Sequence, residues 1–435
     1  MEKVNIQNIK VDDIVKNELC TGCGACLSNK SKMTLNEFGF LVPEEDIEND
    51  VKFCPFNPFP DNEIENEDKL ANIFIEGKNN DSKIGHYIDT YVGYSYQYRL
   101  NSSSGGIATY VFKKLLEEKI VDTLFIVKEV NGSYEYQFFD NKNKIENISK
   151  TRYYPVTLEN LFKQIDAIEG TVAVSGVACF IKAIRLQQYY NPDLKAKIPF
   201  LIGIICGGLK SSLYTDFLSS SAEIEGQYYR QEYRIKNLNS SASDYSFGAF
   251  DDKNDFKTVQ MKKLGDMWGT GLFKSNACDF CTDVMTELAD ISLGDAWLKG
   301  YREDGKGNSI IITRSLVADK IIKDGIINNE LFIENLSKER AIASQSSSFS
   351  HRQDAVAFRI ARRIKKNKIV PRVRARLIMK SDFSYKLVQL QRNSVRSKSL
   401  KFWVLNPKAE DFNKKMKNEL LLLKVLTKIN HKLRK

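Results

Sequence analysis

The sequence predicts an α/β core flanked by a small cysteine-rich domain and a basic helical tail, on three observations. Strand-like and helix-like runs alternate between residues 81 and 345. Three cysteines crowd into CTGCGAC at residues 20–26, and a fourth stands in Cys54-Pro55. Charge is split along the chain: residues 359–435 hold 24 Lys and Arg against 4 Asp and Glu, a balance of +20. Since the whole chain carries +10, residues 1–358 carry −10. A chain of 435 residues is long enough for two or three domains, and 42% hydrophobic and 11% aromatic residues exclude disorder. The expected domains are residues 1–80, 81–345 and 346–435.

Each element of the core follows from a local pattern. NSSSGG (Asn101 to Gly106) opens a helical run, IATYVFKKLLEEK, with Ile107, Val111, Leu115 and Leu116 on one face. VDTLFIV (Val121 to Val127) and TVAVSG (Thr171 to Gly176) read as strands, and LENLFKQIDAI (Leu158 to Ile168) and CFIKAIRLQQYY (Cys179 to Tyr190) as helices. The longest apolar run, IPFLIGIIC (Ile198 to Cys206), is about half the roughly 18 residues of a spanning helix and reads as a buried strand. A β-rich stretch, QYYRQEYRIK then YSFGAF, interrupts the alternation between Gln227 and Phe250. Before the core, Asp61 to Lys83 reads as a polar linker with one short amphipathic element. After it, Phe358 to Lys380 and Lys414 to Lys435 read as basic, helix-prone appendages. The opening MEKVNIQNIK has no apolar signal core, which places the chain in the cytoplasm.

Eight cysteines in a reducing compartment argue for metal or redox chemistry over disulfides. The spacing Cys20-x2-Cys23-x2-Cys26 resembles a ferredoxin loop, but Lys30 stands where a two-cluster ferredoxin has its next cysteine. Phe38, Phe40 and Val42 alternate around Gly39 as a hairpin would, returning Cys54 to the first three. The expected result is a ferredoxin-like domain holding one [4Fe-4S] cluster on Cys20, Cys23, Cys26 and Cys54. Gly22, Gly24 and Ala25 would let backbone N–H groups approach the sulfurs. Four thiolates also suit zinc. The remaining cysteines are Cys278 and Cys281 in NACDFC, and Cys179 and Cys206 at strand ends. If strand ends line one sheet edge, these four converge there. A cluster, a zinc site and unrelated buried thiols all fit that spacing.

Four segments, in order, resemble one known family. SGVACFIKAIR (Ser175 to Arg185) is similar to its G-x-P-C-Q-I-x-x-L segment, and IICGGLKS (Ile204 to Ser211) to its D-x-x-C-H-G segment. CDFCTDVMTELADISLGDAW (Cys278 to Trp297) is similar to its C-x-x-C...ADI-x-x-GD segment, and NSSSGGIATYVFKKLLE to its S-S-S-G-G helix start. These are motifs of the coenzyme F420 hydrogenase/dehydrogenase beta-subunit family, over roughly Asn17 to Gln345. The resemblance implies FAD and two [4Fe-4S] clusters, the second on Cys179, Cys206, Cys278 and Cys281. It also implies a flavin cradle on Ser102, Ser103, Ser104, Gly105 and Gly106, residues that would otherwise serve as a helix cap. Asp290, Gly294 and Asp295 would border flavin or substrate, or only pack against the cluster loop. The departures at Ala178 (proline in the family), Phe180 (glutamine) and Gly207 (histidine) put F420 itself in doubt.

The implied function is an oxidoreductase taking single electrons from ferredoxin through two clusters to a flavin, and reducing a small or lipid-linked metabolite. Bacterial relatives suggest surface-polysaccharide biosynthesis as the setting. The other readings are a non-catalytic electron-transfer subunit feeding a partner, and a zinc-bearing interaction module. Lys299, Arg302 and Lys306 could meet an acidic substrate. No proton donor can be named, since His86 and His351 read as surface or loop residues. The basic tail could pack on its own acidic body, lie on anionic lipid through Leu420, Leu421, Leu422, Val425 and Leu426, or dock ferredoxin. Nucleic acid is the least favoured partner, and a homo-oligomer remains compatible.

Overall fold

The apolar alternation in the middle of the chain closes into one sheet in the computed structural model, which describes residues 9–148, 150–379 and 381–433. Most of the segment read for an export signal lies outside the described residues, as do Lys380 and the last two residues of the tail. The strands are β1 (Asp89–Ser95), β2 (Thr123–Val130), β3 (Ser133–Phe139), β4 (Val172–Val177), β5 (Phe200–Ile204), β6 (Ile291–Asp295), β7 (Ser309–Thr313) and β8 (Leu331–Asn335). Their order is β8-β1-β7-β6-β5-β4-β2-β3. Only β6, β5, β4 and β2 run parallel, and the outer pairs are antiparallel. One antiparallel edge has a local cause. Asn131 and Gly132 join β2 to β3 with φ of 52° and 82°, the paired left-handed residues of a tight hairpin whose twist matches its strands.

Two layers cover the parallel centre, and the two-residue period of the strands decides which side chains meet which layer. Leu124, Ile126, Ala173, Phe200 and Ile202 face helix α1 (Ile107–Glu117) and the helix Leu316–Ile327. Phe125, Val172, Val174 and Leu201 face helix α2 (Ala178–Tyr190) on the other side. That second core also takes in Ile14, Leu19, Cys23, Phe56 and Leu70, so the cysteine-rich N-terminal segment is packed against α2. The stretch read as a linker is ordered by the same contact. Asn66 caps the helix Glu67–Phe74, Leu70 and Ala71 are buried, and Glu67 forms a buried ion pair with Lys182 of α2 at 3.1 Å. The strands Tyr229–Lys236, Tyr245–Phe250 and Phe256–Gln260 form a separate antiparallel sheet, which accounts for the β-rich interruption.

The basic C-terminal region departs from its reading as an appendage. Phe358 to Lys380 is not one helix: the helix Val356–Ile364 ends before an extended segment around Pro371. Three of its six arginines point inward. Arg359, Arg363 and Arg374 are all buried, because the acidic body and its unpaired carbonyls supply acceptors for them. Arg374 reaches Glu67 at 3.2 Å and Glu287 at 2.8 Å. Beyond them, helices α3 (Phe383–Leu405) and α4 (Ala409–Leu433) form an antiparallel pair. Trp403 of α3 and Phe412 of α4 join Phe217 and Phe273 in one buried aromatic cluster, with centroids 5.0 to 6.0 Å apart. Among the described residues, no helix is long and apolar enough to cross a membrane.

Candidate functional site

The loop carrying Cys20, Cys23 and Cys26 is shaped by its glycines. Gly22 and Gly24 have φ of 76° and 79°, which side chains rarely adopt, and a Cβ on Gly24 would come within 2.6 Å of Thr157 Oγ1. In that conformation the Gly22 N–H donates to Cys20 Sγ at 3.4 Å. Leu158 N–H donates to the Cys23 carbonyl at 3.0 Å, and Gln187 of α2 to the Ala25 carbonyl at 2.7 Å. The hairpin expected around Gly39 is present as strands Met33–Leu35 and Leu41–Pro43. The chain then returns so that Asp50 N–H meets the Cys26 carbonyl at 2.9 Å. Burial raises the Cys26 thiol above its ordinary range, and Cys23, Cys54 and Cys20 add to the effect. The four thiols of this set are therefore electrostatic neighbours. The Cys54 thiol is raised by burial in the same way, with Lys182 opposing the rise.

The second set assembles from four separate positions. Cys179 lies in the first turn of α2 just beyond β4, and Cys206 two residues beyond β5. Cys278 lies within a single turn at Ala277–Asp279, and Cys281 two residues beyond it. Gly208 N–H donates to Cys206 Sγ at 3.2 Å and Leu209 N–H to Cys278 Sγ at 3.1 Å. Cys179 is raised by burial and then by Cys281, Cys278 and Cys206, and also by Cys23 of the first set. The two sets thus adjoin each other. Arg352 adds a cation: its guanidinium donates to the Asp283 carbonyl at 3.0 Å, to Cys281 Sγ at 3.7 Å and to the Cys206 carbonyl. His351, read as surface or loop, is in fact enclosed by Asp279, Lys274 and Arg392 at 3.0, 2.8 and 3.0 Å. Among the described residues no three His, Cys, Asp or Glu side chains converge to hold a single metal ion.

A cleft of about 760 Å³ opens beside both sets, and Cys20 and Cys206 are part of its wall. Aromatic side chains contribute to the rest, among them Tyr136, Tyr153, Trp268, Tyr245 and Trp297. Ser102, Ser103, Ser104 and Gly106 line one end, where α1 begins at Gly106, an N-cap with no side chain. The hydroxyls themselves are engaged: Ser103 Oγ accepts from Thr151 N–H at 2.8 Å, and Ser104 Oγ donates to the Asn308 carbonyl at 3.0 Å. Gly294 and Asp295 also line the cleft, with Asp295 bound to Arg234 at 2.5 Å. Lys210 enters from below Trp268, 4.8 Å from its centroid, and donates to the Met267 and Leu272 carbonyls. Burial, with Lys274 nearby, pulls its ammonium down to about 7.

Two residues expected at the site stand elsewhere. Gly105 packs under β1 and β7, where its N–H bonds Ser309 Oγ at 3.1 Å and a Cβ would meet the Gly93 carbonyl at 2.5 Å. Asp290 precedes β6, away from the strand's carboxyl end, and holds Arg185 at 3.2 Å and Leu201 N–H at 2.8 Å. Its role is to fix the sheet. Lys299, Arg302 and Lys306 do not line the cleft either, and Arg302 pairs with exposed Glu303. Arg234, Lys210 and Arg352 were missed because single cations in unremarkable strands and loops carry no motif. The departures at Phe180 and Gly207 do fall in the cleft wall. A Cβ on Gly207 would already sit 3.1 Å from Trp268, so a histidine would need that ring to move.

Two neighbouring groups of cysteines beside a large cleft, carried on a mixed central sheet, mark the chain as a member of the α/β class. Comparison with known proteins agrees. Residues 90–163 and 170–339 match the N-terminal and C-terminal parts of the coenzyme F420 hydrogenase/dehydrogenase beta subunit, and the chain belongs to that family. The first cysteine set and the C-terminal region lie outside both matches. The chain is 24% identical over 221 residues to the coenzyme F420 hydrogenase subunit beta of Methanosarcina barkeri, covering 48% of this chain and 72% of that one. It is 20% identical over 358 residues to the coenzyme F420-dependent sulfite reductase of Methanocaldococcus jannaschii, covering 77% of this chain but only 50% of that protein. A chain in the solved F420-reducing [NiFe] hydrogenase complex from Methanosarcina barkeri shares the fold, with a TM-score of 0.52 and 19% identity over 68% of this chain and 99% of its own.

Proposed function

We propose that the chain is a flavin and iron–sulfur oxidoreductase, with one [4Fe-4S] cluster on Cys20, Cys23, Cys26 and Cys54 and another on Cys179, Cys206, Cys278 and Cys281. The observation that carries this reading is adjacency: each set is close enough to perturb its own thiols, Cys179 senses Cys23, and Cys20 and Cys206 both border the cleft. The fit is chemical as well. Backbone N–H groups already aim at Cys20, Cys206 and Cys278, and Lys182, Lys274 and Arg352 offset the charge that bound thiolates would bring. A flavin in the cleft would supply conversion between one-electron and two-electron chemistry.

This chain's own residues suit that cleft. The positive end of α1, at the cleft, would receive a phosphate, and the aromatic side chains of the wall would hold a flat ring and exclude water. Arg234, fixed by Asp295, would orient an anionic edge. Lys210, near neutrality and at the cleft wall, would deliver a proton to a reduced substrate. Ferredoxin or a similar one-electron protein would be the donor and a small or lipid-linked metabolite the substrate. F420 appears in the relatives' names, but the altered wall at Phe180 and Gly207 makes it a weaker candidate.

The test is anaerobic. Iron, acid-labile sulfide and extractable flavin are quantified per chain in the native protein and in Cys20→Ser and Cys278→Ser variants. About eight iron and one flavin support the reading, with Cys20→Ser losing half the iron and keeping flavin. Equal loss of every cofactor in both variants refutes the two-site arrangement.

A second reading, an electron-transfer subunit serving a partner, is favoured by the relative's place in a hydrogenase complex. Turnover of a substrate by the isolated chain would exclude it. Peripheral membrane contact through α4 also belongs here. Leu420 and Leu426 pack inward, but Leu421, Leu422 and Val425 stay exposed beside Lys417, Lys424 and Lys428. Leu421→Asp with Val425→Asp should abolish sedimentation with anionic vesicles and leave the melting temperature unchanged.

A further inference from the structure

A second cavity, of about 300 Å³, is lined in part by Glu18, Asn276 and Asp279 of the cysteine-bearing loops. Most of its wall comes from the helix Val356–Ile364, the start of the extended segment and α3, which lie outside the region matched to the family; Asn276, Asp279 and Phe280 from inside that region complete it with Glu18 and Phe38. The cavity is strongly cationic. Arg362, Lys366, Lys368 and Lys401 line it, and among the described residues none of these four side chains forms an ion pair. Two further guanidiniums in the wall are anchored by neutral carbonyls: Arg359 donates to Asp279 and His351 carbonyls at 2.7 Å each, and Arg363 to those of Ile369 and Asn17 at 2.7 and 3.0 Å. Of the two acids at the rim, Glu18 is 3.7 Å from Arg396 and Asp279 is spent on Lys274 at 2.7 Å.

Two buried donors in the same wall have no acceptor. Gln389 is 4% exposed; its oxygen accepts from Arg359 at 2.8 Å and its Nε2 bonds nothing. Arg396 is 5% exposed and its Nε is likewise unpartnered. Buried donors without acceptors are costly, and a concentration of unpaired cations is self-repelling, so both features are relieved together by one anion with several oxygens. We propose that this cavity binds a phosphate-bearing ligand, with Arg396 and Gln389 donating to its oxygens and Arg362 and Lys401 neutralising its charge. Because Asn276, Asp279 and Glu18 share the wall, the ligand would touch the loops that carry Cys278 and Cys20.

The probe is inorganic pyrophosphate, titrated calorimetrically into the full-length protein at low ionic strength. One site is expected, and Lys401→Glu and Arg396→Gln should each weaken it about tenfold or more. Lys253→Glu, an exposed substitution in a distant loop, should leave it unchanged. Lys401 is exposed, so its variant keeps the test valid if Arg396→Gln unfolds. Absence of binding at millimolar pyrophosphate, or equal weakening by Lys253→Glu, would overturn the site. Sedimentation with phosphatidylglycerol vesicles that Lys401→Glu abolishes and pyrophosphate competes would support a lipid headgroup as source. Pyrophosphate binding without such sedimentation would support a free phosphate compound.

Discussion

Replacing Arg374 with Met should destabilise the protein by about 3–5 kcal/mol at pH 8, and by less at pH 5.5. The guanidinium is 1% exposed and stands between Glu67 and Glu287, themselves buried, so its loss strands two carboxylates without their shared partner. Breaking a buried ion pair from one side costs about that much. The two carboxyls respond to pH in opposite ways. Burial pushes Glu67 up, but Lys182 and Arg374 overcome it and hold the group down at about 2. Its contribution is present above the unfolded value near 4.5 and is lost as pH falls toward 2. Glu287 is raised by burial, with Arg374 opposing and Asp283 reinforcing, to about 7. It therefore opposes stability as pH rises from 4.5 through 7. Without Arg374 its proton is held more tightly still; a carboxyl that stays protonated at pH 8 loses nothing more by a further rise, so the added cost is at most about 1.4 kcal/mol at pH 8 and nothing at pH 5.5. With an unfolding entropy of about 2.1 cal/mol/K per residue, roughly 0.9 kcal/mol/K for this chain, the melting temperature should fall about 3–5 °C at pH 8. Calorimetric scans of both proteins at the two pH values provide the check. A drop that is the same at both, or under about 1 °C at pH 8, would refute the account.

Three other substitutions probe the remaining links. Gly24→Ala puts a side chain at a left-handed φ and against Thr157, so it should cost at least about 1–2 kcal/mol and lower iron per chain, read by chemical analysis and melting. Trp403→Ala should cost about 3–5 kcal/mol and expose the α3–α4 pair to limited proteolysis, since the ring packs against Phe217, Phe273 and Phe412. Lys210→Met should remove the limb near pH 7 from the pH–rate profile of the reduced chain. Lys210 is charged below that value, so the native rate should fall about tenfold per pH unit above it.

The α/β core was legible because its strands and helices carry period-2 and period-3.6 apolar patterns that survive without tertiary context. The outer cysteine set was legible from local spacing. The inner one needed resemblance, since spacing cannot say that loops after β4 and β5 meet a turn near residue 280. The antiparallel edge at β2 and β3 was signalled by Asn131-Gly132, a two-residue hairpin turn that went unread. Asp290 misled because it shares a motif with Gly294 and Asp295, yet the four residues separating it from Asp295 carry it to the far end of a strand. The tail misled for a different reason. Composition records the charge on Arg359, Arg363 and Arg374 but not its direction, and carbonyls and carboxylates of the body draw those side chains inside.

Those inward arginines set an order on how the protein comes into being. Arg363 bonds Asn17 across 346 residues of sequence, and Arg359 bonds the Asp279 carbonyl across 80. A chain emerging from its N-terminus therefore presents all eight cysteines before the segment that clamps both of their loops has been made. Final closure around the thiols therefore comes late in synthesis, and a nascent or truncated chain lacking residues 352–374 would present the same eight thiols on loops without their arginine clamps.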